Sequence, residues 1–99
     1  MSEEADQMTL QTGNVRGFEQ DRGVMLFSMM DGTTEIACAV SSSAMDDLER
    51  GPRAKPNQRE EQFLRLRSKI EQCASRKFQA REFEGTPPGI ILRSMDFRT

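Results

Sequence analysis

One long segment with helical periodicity dominates the distribution of hydrophobic residues along the chain. Its apolar side chains recur mostly at spacings of three or four residues, which places them on one side of an α-helix. They are Phe63, Leu66, Ile70, Cys73, Ala74 and Phe78. Asn57 supplies an N-cap signal, and no Gly or Pro interrupts the segment before Gly85. The pattern predicts an amphipathic helix from Gln58 to Ala80, long enough to cover a small sheet.

Two segments before this helix have the pattern of β-strands. The segment from Val24 to Met30 is apolar on both of its faces, and Asp31-Gly32 follows it as a hairpin turn signal. The segment from Thr33 to Val40 then alternates between apolar and polar or small residues. Its larger apolar side chains share one face: Ile36, Cys38 and Val40.

The remaining segments complete an α+β pattern. Serines that can cap a helix precede a short predicted helix from Ser42 to Glu49, and Ile90 to Leu92 reads as a third strand. The order β-β-α-α-β predicts a small antiparallel sheet of about three strands, with a short and a long helix on one face. Residues 1–13 are polar and acidic, so we expect a mobile tail there and a single domain over residues 14–99.

Composition weighs against catalysis. The 99-residue chain has no histidine, which removes Ser-His-Asp and Cys-His nucleophile activation and zinc sites that contain histidine. Cys38 and Cys73 have no C-x-x-C spacing and are expected to be small buried apolar residues. We therefore predict no enzyme activity, no metal and no cofactor.

The expected compartment is the cytoplasm. Hydrophobic residues make up only 35% of the chain, and no apolar run has the length of a membrane-spanning helix. The acidic N-terminus lacks the apolar core of a secretory signal. We expect no membrane association.

Charge is distributed unevenly. Residues 50–81 hold ten basic and three acidic side chains, a net charge of +7, whereas the rest of the chain carries −9. A basic helix over residues 58–81 is compatible with nucleic-acid binding. However, the bases are spread around the helix, and the acidic remainder opposes phosphate, so an ordinary solvated helix with intramolecular ion pairs is the favoured interpretation.

Two cations, Arg67 and Lys77, fall on the apolar side of the predicted helix. Buried charges need partners, so the simpler interpretation is that both side chains pair with acids, with Asp46 and Asp47 as candidates for that role. The alternative is a cationic pocket for a small anion or a partner at the edge of the helix–sheet contact.

The second face of the sheet provides another candidate site. Helices cover only one face, and we expect Met25, Phe27 and Met29 to lie on the other with Ala37 and Ala39 beside them. An apolar patch of this kind usually contacts something. The candidates are the segment around Phe18, a second copy of the chain in a homodimer, or a different protein.

Several of these features occur together in one known family. They are Asp31-Gly32, Ile36-x-Cys38-x-Val40-Ser41, Ala44-Met45, Phe63, Arg67, Ile70, Ala74, Lys77, Phe83 and Asp96-Phe97. In this order they resemble the bacterial domain-of-unknown-function 1488 family, over roughly residues 17–97. Many members have Trp-Asp before the first strand, where this chain has only Phe18. The resemblance implies a compact α+β fold and no established activity.

These observations predict a non-catalytic interaction or regulatory module. The alternative is a nucleic-acid-associated accessory protein or transcriptional regulator that uses the basic helix.

Overall fold

The computed structural model describes residues 10–98, which form a four-stranded sheet with two helices packed on one side. The strands are β1 (Gln11–Glu19), β2 (Val24–Asp31), β3 (Thr34–Ser41) and β4 (Ile90–Leu92), and the helices are α1 (Ser42–Glu49) and α2 (Arg59–Gln79). Short 3₁₀ helices occupy Pro56–Gln58 and Ser94–Phe97. The predicted α+β class is confirmed, and the sheet has one strand more than the pattern indicated.

The additional strand is β1, which pairs antiparallel with β2 at one edge of the sheet. Its register shifts twice, between Thr12 and Val15 and between Val15 and Gly17. Thr12, Val15 and Phe18 of β1 share a face with the core residues of β2. Because of the two bulges, these residues are three positions apart in the sequence instead of two. This spacing hides the alternation that identifies a strand.

The strand also changes the expected boundary of the domain. The predicted tail covered residues 1–13, but Leu10 is buried in the core and β1 begins at Gln11. The folded layer therefore starts before residue 14. Residues 1–9, which make up the rest of that predicted tail, lie outside the described residues.

The sheet is mixed rather than wholly antiparallel. β1, β2 and β3 form an antiparallel meander, whereas β4 runs parallel to β3 with Cys38 paired to Ile90 and Val40 to Leu92. The chain reaches β4 after two helices have carried it back across the sheet, and such a crossover returns a strand in the parallel direction. The sequence pattern predicted β4 at the correct residues, but the antiparallel direction expected for it is wrong.

One continuous core fills the space between the sheet and the helices. The predicted apolar side of α2 faces it, and the Phe63 ring contacts the Phe27 ring with 5.0 Å between centroids. Both rings are fully buried. Each such side chain contributes about 1.5–3 kcal/mol when it leaves water. The helix–sheet contact is therefore the main source of stability.

A buried polar network joins the two helices. Arg59 on α2 donates to Asp46 on α1 through both terminal nitrogens, at 2.7 and 3.2 Å, and Gln62 Nε2 donates to Asp46 Oδ1 at 3.0 Å. Burial alone raises the pKa of Asp46, but the hydrogen bonds from Arg59 and Gln62 outweigh it and lower that pKa.

Neither helix of the described chain is long and apolar enough to cross a membrane.

Candidate functional site

Arg67, the first of the two predicted site cations, links α2 to β1. Its Nε donates to Glu71 Oε2 at 2.9 Å, and its Nη2 donates to the Gly13 carbonyl at 3.2 Å. The guanidinium also lies 5.6 Å from the centre of the Phe63 ring, within the range of a cation–π contact. These contacts make Arg67 a brace between the helix and the edge strand.

Lys77, the second predicted cation, is 8% exposed and fully paired. Its Nζ donates to the Ile91 carbonyl at 2.9 Å and to Asp96 Oδ2 at 3.3 Å. Asp96, rather than Asp46 or Asp47, is therefore its acidic partner. Lys77 lies ten residues after Arg67, about 15 Å along the helix, so the two cations do not form one pocket.

The predicted interface residues Met25, Phe27 and Met29 lie in the core, with exposures of 0%, 1% and 1%. They pair across the sheet with Val40, Cys38 and Ile36. The three therefore face the helices, and their prediction as a contact surface is wrong.

The other face of the same strands carries the surface that the helices leave uncovered. Val24, Leu26 and Met30 on β2 alternate with the core residues and remain half-buried. Paired neighbours on β3 and β4 extend the same face with small and branched side chains. We call this set the open face: Val24, Leu26, Met30, Ala37, Ala39 and Ile91.

A polar bridge closes one end of the open face. Arg16 on β1 forms an ion pair with Glu35 on β3, reaching across β2, and Asn14 Nδ2 donates to the same carboxylate at 3.2 Å. Hydrogen bonds from Ser28, Asn14 and Arg16 lower the pKa of Glu35 to about 2. The bridge is therefore charged at all physiological pH values.

A groove opens at the opposite end, where β3 and β4 finish and β2 begins. Its volume is about 580 Å³. Among residues 10–98, its lining consists of three arginines, three serines and three apolar residues, with no carboxylate. Met95 on the C-terminal 3₁₀ helix is 67% exposed there, more than any other large apolar residue in the described chain. We call this site the arginine groove, defined by Arg22, Arg93, Arg98, Val24, Ile91 and Met95.

Comparison with protein families assigns the chain to one of them. Residues 12–91 match the family described as "protein of unknown function (DUF1488)". The chain belongs to the DUF1488 family. No curated protein and no solved structure matches it.

The DUF1488 match begins at Thr12 in β1 and ends at Ile91 in β4. It therefore contains the whole open face but only one of the three arginines of the groove, Arg22. Arg93 and Arg98 follow the matched segment, as does Met95.

 The open face is thus a property of the matched DUF1488 segment. Of the three groove arginines, Arg22 alone lies within that segment, so the groove is completed by residues beyond it.

Sequence reasoning predicted an uncovered sheet face and placed Ala37 and Ala39 on it correctly, but it assigned the wrong residues of β2 to that face and missed the arginine groove. Alternation along β2 separates Val24 and Leu26 from Met25 and Phe27, but a strand that is apolar on both faces does not show which face meets the helices. The composition of β3 contains a signal that identifies the core face. Its larger side chains share a face with Cys38, and its small ones share the other face with Ala37. The groove had no local signal, because its residues come from three separate segments of the chain.

Proposed function

We propose that this DUF1488 protein is a non-catalytic interaction module that binds another protein through the open face of its sheet. One observation carries the proposal: both helices pack on the same side, and the opposite side presents half-buried apolar residues to solvent. Monomeric proteins rarely leave an apolar sheet face without a function. The partner we favour is acidic, because the groove that continues this face is lined by arginines and by no carboxylate of the described residues.

The pairing of the ionisable side chains supports a role other than catalysis. Asp46 is committed to Arg59, and Lys77 to Asp96 and a backbone carbonyl. Burial raises the pKa of the Cys38 thiol to about 12, which leaves it a poor nucleophile at neutral pH. Two buried, unbridged cysteines also suit the reducing cytoplasm in which we propose that the protein acts.

Nucleic-acid binding through the basic helix is the weaker candidate. Four of the bases on α2 form ion pairs with carboxylates. These are Arg59 with Asp46, Arg65 with Glu49, Arg67 with Glu71, and Lys77 with Asp96. The pairs cancel much of the charge that a phosphate backbone would meet.

The proposal is tested by matched substitutions on the two sides of the molecule. Leu26→Glu places a carboxylate on the open face, whereas Leu64→Glu places one on the outer side of α2, where Leu64 is 48% exposed. Tagged wild-type and variant proteins are used to capture partners from lysate of the source cells, with and without nuclease treatment. Light scattering gives the masses of the purified wild-type and variant proteins.

We expect Leu26→Glu to lose a captured protein that both wild type and Leu64→Glu retain. A doubled mass for wild type that only Leu26→Glu abolishes would instead identify a second copy as the partner. Equal capture by all three proteins would contradict the proposal. Loss of every captured protein on nuclease treatment would favour the nucleic-acid role.

A further inference from the structure

The arginine groove has the chemistry of a binding site for an anionic group beside an apolar one. Its lining brings three arginines together with the apolar residues Val24, Ile91 and Met95. The two kinds of lining are contiguous, so one ligand can contact both. An ion pair at the rim adds orientation and selectivity, and apolar contact at the floor adds affinity.

The arginines retain capacity to bind an additional anion. Arg22 meets Glu19 through one contact at 3.1 Å, and Arg93 is held from outside the groove by Glu84, at 2.8 and 3.0 Å. The side chain of Arg98 has no ion pair within residues 10–98. Because each guanidinium offers five N–H donors, Arg22 and Arg98 can both donate hydrogen bonds to a carboxylate of a partner.

The exposed Met95 is held in position rather than left on a loose terminus. Asp96, its neighbour on the C-terminal 3₁₀ helix, accepts from Lys77 Nζ at 3.3 Å and from the backbone N–H of Arg93 at 2.8 Å. These bonds anchor the 3₁₀ helix to α2 and to the end of β4. A side chain fixed beside a groove costs less entropy when a partner binds it.

We infer that the arginine groove binds an acidic segment of a partner protein that carries an apolar side chain next to its carboxylates. The carboxylates pair with Arg98 and Arg22, and the apolar side chain packs on Ile91 and Met95. In the part of the chain that the structure describes, no aromatic ring lines the groove for a nucleobase to stack on, which favours a peptide over nucleic acid. This inference rests on the proposed function and names the chemistry of its partner.

The test measures fluorescence anisotropy of a labelled peptide in which aspartate and leucine alternate. Two analogues replace either the aspartates with lysine or the leucines with serine. The protein variants are Arg98→Gln and Met95→Ser in the groove, and Lys69→Gln as a control that removes one exposed positive charge from α2. Single-stranded DNA and inorganic phosphate serve as competitors.

We expect the aspartate–leucine peptide to bind wild type better than either analogue does. Arg98→Gln and Met95→Ser should each weaken this binding by about tenfold, in line with the loss of one charge-assisted bond or one buried side chain, whereas Lys69→Gln should leave it unchanged. DNA and phosphate should compete poorly.

Absence of peptide binding, or equal weakening by Lys69→Gln, would overturn the inference. Displacement of the peptide by DNA or by phosphate would overturn it in favour of a phosphate-bearing ligand. If Leu26→Glu abolishes partner capture while Arg98→Gln changes neither capture nor peptide binding, the acidic-segment inference fails and the interaction module stands. If Leu26→Glu leaves capture unchanged, the proposed function itself fails.

Discussion

At the scale of single residues, Glu35 shows how a polar side chain can close one end of an apolar surface. It collects hydrogen bonds from Asn14 and Arg16 on β1, although it belongs to β3 and β2 lies between them. The carboxylate therefore links three strands on the side that the helices leave uncovered. A neutral side chain at this position would lose the charge that holds the bridge.

The lowered pKa of Glu35 gives the bridge a defined pH dependence. Its pKa falls from an ordinary value of 4.5 to about 2 on folding, so its contribution to stability is complete above about pH 4.5 and is lost as the pH falls through about 2. We predict that Glu35→Gln is less stable than wild type at pH 7 and that the difference disappears towards pH 2.

Thermal unfolding across this pH range provides the measurement. Glu82→Gln is a suitable control, because the Glu82 side chain makes no ion pair within the described residues. A stability difference for Glu35→Gln that stayed constant from pH 7 to pH 2 would show that the carboxylate is not held as described.

Lys77 illustrates a limit of sequence reasoning at the same scale. Its place on the apolar side of α2 correctly indicated a buried cation with an acidic partner, since an unpaired one costs several kcal/mol. The sequence could not identify that partner as Asp96, because the contact depends on where the residues after β4 lie relative to α2.

At the scale of elements, periodicity predicted the helices closely and the edge of the sheet poorly. α2 runs from Arg59 to Gln79, one residue inside each predicted end, and α1 has the predicted bounds. β1 was missed because its two bulges break the alternation, and the direction of β4 depends on a crossover that no local pattern records. Tertiary packing decides these features.

The length of the loop between β2 and β3 determines which residues of the two strands share a face. Asp31 pairs with Thr34 across a two-residue loop, so odd-numbered residues of β2 pair with even-numbered residues of β3. This parity puts Phe27 on the same face as Cys38 and away from Ala37. Applied to the sequence, the rule assigns Met25, Phe27 and Met29 to the face with the larger partners and leaves Leu26 on the other.

The close packing of β1 on β2 at Gly13 provides a prediction about this element. A Cβ at Gly13 would lie 2.5 Å from the Ser28 carbonyl oxygen, a backbone atom that cannot rotate away. We predict that Gly13→Ala displaces β1 and destabilises the protein by about 1–3 kcal/mol. Urea denaturation measures the loss, and hydrogen exchange of the β1 amides locates it.

Gly51→Ala is the matched control for Gly13→Ala. A Cβ at Gly51 meets its nearest neighbour only at 4.0 Å, so this substitution should leave stability nearly unchanged. Equal effects of the two substitutions, or full protection of the β1 amides in Gly13→Ala, would contradict the packing described for β1.

At the scale of the whole molecule, the protein is two-sided. The helices and the polar network of Arg59 lie on one side of the sheet, and the open face lies on the other. The arginine groove lies at one end of the sheet, where residues of the open face and of α1 both line it. The sequence indicated that one face would be left uncovered, because two helices cannot wrap both sides of a sheet. It placed Ala37 and Ala39 on that face correctly but chose the wrong residues of β2.

The central claim is therefore the sidedness of β2, and two adjacent residues test it most directly. Phe27 lies in the core, and Leu26 lies on the open face. The decisive measurement compares the thermal unfolding of Phe27→Glu and Leu26→Glu. A buried carboxylate costs several kcal/mol against a total stability of about 5–15 kcal/mol, so Phe27→Glu should lose its cooperative transition. Leu26→Glu should still unfold cooperatively, within about 8 °C of wild type. A folded Phe27→Glu together with an unfolded Leu26→Glu would contradict the account.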